Sequence, residues 1–235
     1  MNAARSSLFG PLLVGLFLLG CEKSQGSSGD AEKKPIPPGA PVQPSEQVDA
    51  ARAEFTDAAP PRERKKYKHV LQTGDSMVGG GLCKALKPMF EAEGAKFHRD
   101  VIESGTVHEF AQNDHLPKLL KQTQADLVLL TIGANHVPHV LDFEKEMGRY
   151  VRLLAKRFEG VDCYWIAPPL WKKNKRWEEF NAWLGTQVSP CKYYDGSSLD
   201  IERKPDKIHP SDKGGEVWAE GFWKFYTGEG ANLAP

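Results

Sequence analysis

Four short segments carry residue types at spacings that suit acyl transfer. Gly74-Asp75-Ser76-Met77, backed by Gly79-Gly80-Gly81, offers a serine hydroxyl on a tight turn. Asp206-Lys207-Ile208-His209-Pro210 offers a histidine to take the serine proton. Its carboxylate, three residues away, can fix the imidazole tautomer and stabilise the imidazolium. Thr131-Ile132-Gly133-Ala134-Asn135-His136 presents an asparagine whose amide can donate to developing negative charge. Glu103-Ser104-Gly105-Thr106 holds a glycine that lets backbone approach a ligand and offers an N–H to an oxyanion. Each segment also has a plainer reading. These are a turn and N-cap at Ser76, a turn glycine at Gly105, an Asx-turn at Asn135, and a chance Asp-x-x-His.

The surrounding chain supplies elements that could position them. Apolar and β-branched runs predict strands over 69–73, 95–103, 127–132, 161–167 and 192–195. Helical spacing predicts helices over 82–93, 108–122, 143–158, 176–188 and 217–226, with Pro117 breaking or starting the second. The run 127–132 is apolar on both faces, as a central parallel strand must be. Alternating strands and helices imply a mostly parallel sheet covered on both sides. Ligands in such folds bind beyond the C-terminal ends of the strands. The Ser76, Gly105 and Asn135 segments follow strands directly, and the histidine segment comes last, after the fifth.

In that order and context, the four segments resemble the SGNH, or GDSL-like, hydrolase superfamily. The resemblance covers about residues 68–226. It implies an α/β fold: a flavodoxin-like three-layer α/β/α sandwich with a central, mostly parallel sheet of about five strands. It implies Ser76 as nucleophile with His209 and Asp206 completing a triad, and an oxyanion hole from Ser76, Gly105 and Asn135. It implies neither cofactor nor metal. Two departures stand out: Met77 replaces the usual Leu, and His136 replaces the usual Asp after Asn135.

Other residues have plainer roles beside the functional ones. His136 and His139 have an H-x-x-H spacing, but no further ligand cluster accompanies them, so a loop histidine pair outweighs a metal site. His136 and Trp171 fall where a substrate rim would lie, and core or lid packing is an equal alternative for Trp171. Cys163 and Cys191 stand near the starts of successive strands, so a disulfide is expected, with two buried thiols as the alternative. Cys83 would then be left over.

The chain has 235 residues with 31 Lys+Arg against 31 Asp+Glu, so bulk charge gives no case for nucleic-acid binding. A hydrophobic fraction of 40% excludes wholesale disorder. The conspicuous apolar stretch, residues 8–19, follows Arg5 and ends in Leu18-Leu19-Gly20-Cys21. It fits a signal peptide over 1–20 and resembles a lipoprotein lipobox, with Cys21 lipidated. Residues 22–66 hold seven of the 17 prolines and a single aromatic, Phe55. Residues 21–66 are therefore expected to form a lipidated tether, disordered apart from a short helix over 47–57, with a mean reach of about 35–40 Å. Residues 67–235 form the hydrolase-like domain. The expected protein is exported and lipid-anchored to the bacterial envelope, at the outer membrane or periplasmic face. It is a monomer that binds the membrane through its lipid and takes a small acyl ester or O-acylated carbohydrate. An O-acyltransferase with the same triad, or a non-catalytic envelope-binding module, are the alternatives.

Overall fold

The strand-forming runs pair into one sheet whose central strand is covered on both faces. In the computed structural model these are β1 (His69–Gly74), β2 (Lys96–Arg99), β3 (Leu127–Thr131), β4 (Asp162–Ile166) and β5 (Lys192–Tyr194). All pairings are parallel, in the order β2-β1-β3-β4-β5. The structure describes residues 64–169 and 174–229. The expected signal peptide, Cys21, nearly all of the expected tether with the short helix expected in it, and Trp171 lie outside the described residues.

β3 is buried at all five positions, which explains its unbroken apolar run and its central place. Among the described residues six α-helices flank the sheet: α1 (Gly81–Ala92), α2 (Val107–Gln112), α3 (His115–Thr123), α4 (Arg149–Lys156), α5 (Lys175–Gly185) and α6 (Asp212–Thr227). α1 packs on α6 and α2 on α4, giving a three-layer α/β/α arrangement. α1 buries Leu82, Leu86 and Phe90, and α6 buries Trp218, Phe222 and Tyr226, each at four-residue spacing on one stripe. Phe90 stands edge-on to Trp223 with ring centres 5.1 Å apart. Among the described residues no helix is long and apolar enough to cross a membrane.

Four elements differ from expectation, each for a local reason. The helix over 108–122 is two helices. Asn113 leaves helical geometry, and its side chain accepts from the His115 N–H at 3.1 Å, ending α2 and starting α3. Pro117 then falls in the first turn of α3, where a missing N–H costs nothing. The ladder of β2 stops at Arg99, yet the chain keeps bonding β1 through Asp100 N–H to Gln72 O and Ile102 N–H to Gly74 O, both at 2.9 Å. A single π-helical turn, Glu144–Gly148, precedes α4, and the Glu144 carboxylate lies 2.7 Å from where a Cβ on Gly148 would stand. Finally, α6 begins at Asp212 rather than 217, because Gly214 and Gly215 in its first turn serve a close contact rather than break the helix.

A disulfide joins Cys163 to Cys191 across 28 residues, and Cys83 is free and buried. Closing a loop of that length restrains the unfolded chain, so reduction is expected to cost about 3 kcal/mol. Urea unfolding of the oxidised protein, the reduced protein and a Cys163→Ala/Cys191→Ala variant checks this. Equal unfolding free energies would remove the cross-link from the account of stability.

The strand order reverses between β1 and β3. From β1 the chain moves outward to β2, then returns to place β3 on the other side. The loops after β1 and β3 therefore diverge and leave a crevice between them.

Candidate active site

Ser76 lies two residues beyond β1, at the mouth of that crevice. The turn that carries it requires Gly74, whose φ is +150° and whose added Cβ would stand 1.8 Å from Thr131 O. The Asp75 N–H bonds that same carbonyl at 3.0 Å, so the turn is clamped to the end of β3. Asp75 is fully buried and accepts from the Met77 N–H at 3.0 Å. Burial pushes its carboxyl up to about 7, against the opposing pull of the Met77, Gly133 and Ala134 amides.

Asp75 makes a testable contribution to stability. An acid raised in the folded state stays protonated there while the unfolded chain ionises near 3.8. Folding stability should therefore decline as pH rises from about 4 towards 7 and level off above. Asp75→Asn is expected to remove that part of the slope, measured as the difference between the two proteins' urea-unfolding free energies across this range. Parallel pH profiles would clear Asp75 of the effect.

His209 reaches Ser76 from the other end of the chain. Its Nε2 lies 2.9 Å from Ser76 Oγ, and its Nδ1 lies 2.8 Å from Asp206 Oδ2. The hydrogen bond from His209 is the largest influence holding the Asp206 carboxyl down at about 2, followed by the Ile208 and His209 amides. A carboxylate can only accept, so the Nδ1 proton points at Asp206 and the Nε2 lone pair faces the serine hydroxyl. The loop between is itself fixed. Lys207 is left-handed with φ +59°, Lys207 N–H bonds Lys204 O, Lys204 N–H bonds His209 O, and Arg203 Nη1 donates to Ile208 O at 2.7 Å.

On the far side of the crevice, Asn135 Nδ2 donates one proton to Gly105 O at 2.9 Å, leaving a second. The Gly105 N–H, expected to face an oxyanion, closes a turn onto Ile102 O at 2.9 Å. The reason is the left-handed Ser104, φ +57°, which folds the chain back on itself. A Cβ on Gly105 would stand 2.9 Å from Ile102 O and 3.1 Å from the Phe110 ring. The Ser76 N–H bonds no acceptor among the described residues. Two donors, the Ser76 amide and the second Asn135 proton, are thus left for an anionic oxygen.

His136 corrects the expectation of a rim residue. It is only 8% exposed and points beneath the site, where its Nε2 meets His108 Nδ1 of α2 at 2.9 Å. Burial, then the neighbouring His108, lowers its pKa to about 4, so the ring is neutral. No group of three metal-ligating side chains occurs among the described residues. A separate cluster escaped the sequence reading. Thr73 Oγ1 donates to Asp100 Oδ2 at 2.7 Å, and His115 Nε2 lies 3.0 Å from the same oxygen. Here the carboxylate sits between hydroxyl and imidazole, so the order differs from hydroxyl–imidazole–carboxylate and the hydroxyl is tied directly to the acid.

The same architecture recurs in solved structures at low sequence identity. A family 3 carbohydrate esterase of Clostridium thermocellum is 16% identical with a TM-score of 0.56, over 73% of this chain and 100% of that one. An acetylxylan esterase of Geobacillus stearothermophilus is 15% identical with a TM-score of 0.56, over 70% and 97%. A GDSL-like lipase of Bacteroides thetaiotaomicron is 13% identical with a TM-score of 0.52, over 69% and 89%. Neither a protein-family model nor a curated protein sequence matches the chain. At these identities the fold is what is shared.

Proposed function

We propose that this protein is a serine esterase of the SGNH/GDSL type that hydrolyses small O-acyl groups, acetyl among them, from envelope or extracellular carbohydrate. The observation that carries this reading is the line Asp206–His209–Ser76, with contacts of 2.8 and 2.9 Å, at the β1/β3 crevice. The carbohydrate esterase and acetylxylan esterase among the structural neighbours support the choice of acyl group and carrier. Lipidation at Cys21 and an envelope location rest on the Leu18-Leu19-Gly20-Cys21 sequence and belong to the same proposal.

Ser76 Oγ bonds the ester carbonyl carbon as its proton passes to His209 Nε2. The carbonyl pair moves to oxygen, which the Ser76 N–H and the second Asn135 proton receive. Asp206 stays ionised and stabilises the imidazolium. Collapse breaks the bond to the leaving alkoxide, which takes the proton from His209 and leaves acyl-Ser76. A water then gives a proton to His209 and adds to the acyl carbon. Departure of Ser76 Oγ, reprotonated by His209, frees the acid. One water is consumed per ester.

Labelling with a fluorophosphonate, mapped by mass spectrometry, tests the reading together with a panel of short-chain esters. The expected result is a single adduct at Ser76 and turnover of acetyl esters. Folded protein that takes no label and turns over no ester would sink it.

A further inference from the structure

We propose that a cavity of about 360 Å³ beside the Ser76 turn is a subsite for an anionic group, carboxylate or phosphate, on the molecule that bears the ester. The proposal rests on the esterase reading above and narrows the substrate to an acidic carrier.

The cavity borders the turn that carries Ser76. Its floor is Gly79 and Gly80. The Gly79 N–H bonds Ser76 O at 3.1 Å, and a methyl on Gly80 would stand 3.1 Å from the carbonyl of Pro210, the residue after His209. A methyl on Gly79 would lie 3.3 Å from Ser76 O and 3.4 Å from Arg99 Nη2. Neither glycine places a side chain between the serine turn and the Arg99 guanidinium.

The charges around the cavity do not cancel. Arg99, Lys84 and Lys87 face a single carboxylate, Asp212. Asp212 is already engaged by Lys84 at 2.6 Å, with Glu216 beyond it. Lys87 has only a 3.8 Å contact to Glu91. The Arg99 side chain, exposed at the end of β2, makes no hydrogen bond or ion pair among the described residues. α1 opens here with no acidic residue in its first turn and no capping side chain, so its positive end adds to the field. A planar guanidinium with free donors matches a carboxylate or phosphate two oxygens at a time.

Three matched esters test this on the full chain: an O-acetylated neutral methyl hexoside, its hexuronate, and its sugar phosphate. At low ionic strength, kcat/KM for the hexuronate or the phosphate should exceed that of the neutral ester by roughly five- to tenfold, through KM. The advantage should shrink as salt rises past about 0.15 M. Arg99→Gln should bring the ratio near one and Arg99→Lys should keep part of it, while Lys87→Gln should lower it. Because each ratio is taken on one preparation, any loss of folded protein cancels. Whichever anionic ester is preferred identifies the group. A ratio near one in the unaltered protein, or one that Arg99→Gln and Lys87→Gln leave intact, overturns the subsite while the esterase reading stands. Failure to turn over all three esters overturns that reading and the subsite with it.

Discussion

Ser76→Ala should abolish ester hydrolysis, by about 10⁴-fold or more in kcat, and leave the protein folded. The half-buried hydroxyl makes one hydrogen bond, to His209 Nε2, so its removal costs stability no more than about 1 kcal/mol. The nucleophile, by contrast, has no substitute: no other hydroxyl is within hydrogen-bond reach of His209 among the described residues. Asp206→Asn refines the test. Its remaining carbonyl can still accept from the Ile208 and His209 amides, which bond Asp206 Oδ1 at 2.8 and 2.9 Å, so the loop should persist. The altered side chain no longer secures the tautomer, and a loss of about 10⁴-fold follows. Initial rates on a short-chain nitrophenyl ester, paired with urea midpoints, read both effects. Hydrolysis by Ser76→Ala at the unaltered rate would remove the serine from the mechanism.

Gly215→Ala should be among the most damaging single methyls in the domain. A Cβ there would stand 2.1 Å from Gly81 C and Cα and 2.4 Å from Leu82 N. Seen from the other helix, a methyl on Gly81 would meet Asp212 O at 2.5 Å. The first turns of α1 and α6 thus cross backbone to backbone, and no flexible side chain can yield. Relief requires the helices to part, at a cost of about 3 kcal/mol or more. α1 follows the Ser76 turn and α6 follows the His209 loop, so parting them also opens the 2.9 Å contact between nucleophile and base. A misplacement near 1 Å costs about 10²-fold in rate. Gly215→Ala should therefore lose stability and kcat together, whereas Lys213→Ala, on the exposed side of the same turn, should lose neither. An unfolding midpoint for Gly215→Ala equal to that of the unaltered protein would contradict the contact.

These glycines also mark where reading the chain by pattern stops. Periodicity located the apolar stripes of α1 and α6 and the run of β3, because burial on a sheet writes itself into spacing. It started α6 five residues late, since a glycine pair reads as a break until a partner backbone occupies its place. The Asn113 turn between α2 and α3 was equally hidden, because local capping competes with helical spacing over a few residues. The Ser76, Asn135 and His209 segments could be picked out because each follows a strand or precedes a helix in a fixed setting. Their separation in space could not. The exchange of Gly105 N–H for an internal turn depends on one left-handed residue, Ser104, and the burial of His136 depends on a histidine 28 residues away. Neither leaves a trace in spacing. Arg99 looks like any strand-end cation, because what makes it distinctive is that its side chain has no ion pair among the described residues.

The partners of the central contact, Ser76 and His209, are 133 residues apart. A chain that grows from its N-terminus therefore holds the serine long before it holds the base. On the proposed reading, the hydroxyl remains an ordinary alcohol through most of synthesis and becomes a nucleophile only when α6 docks on α1. The order of the chain acts as a safety catch: a fragment ending before the Asp206–His209 loop could assemble all five strands and still be inert. On the same reading, reactivity arrives with the docking of α6.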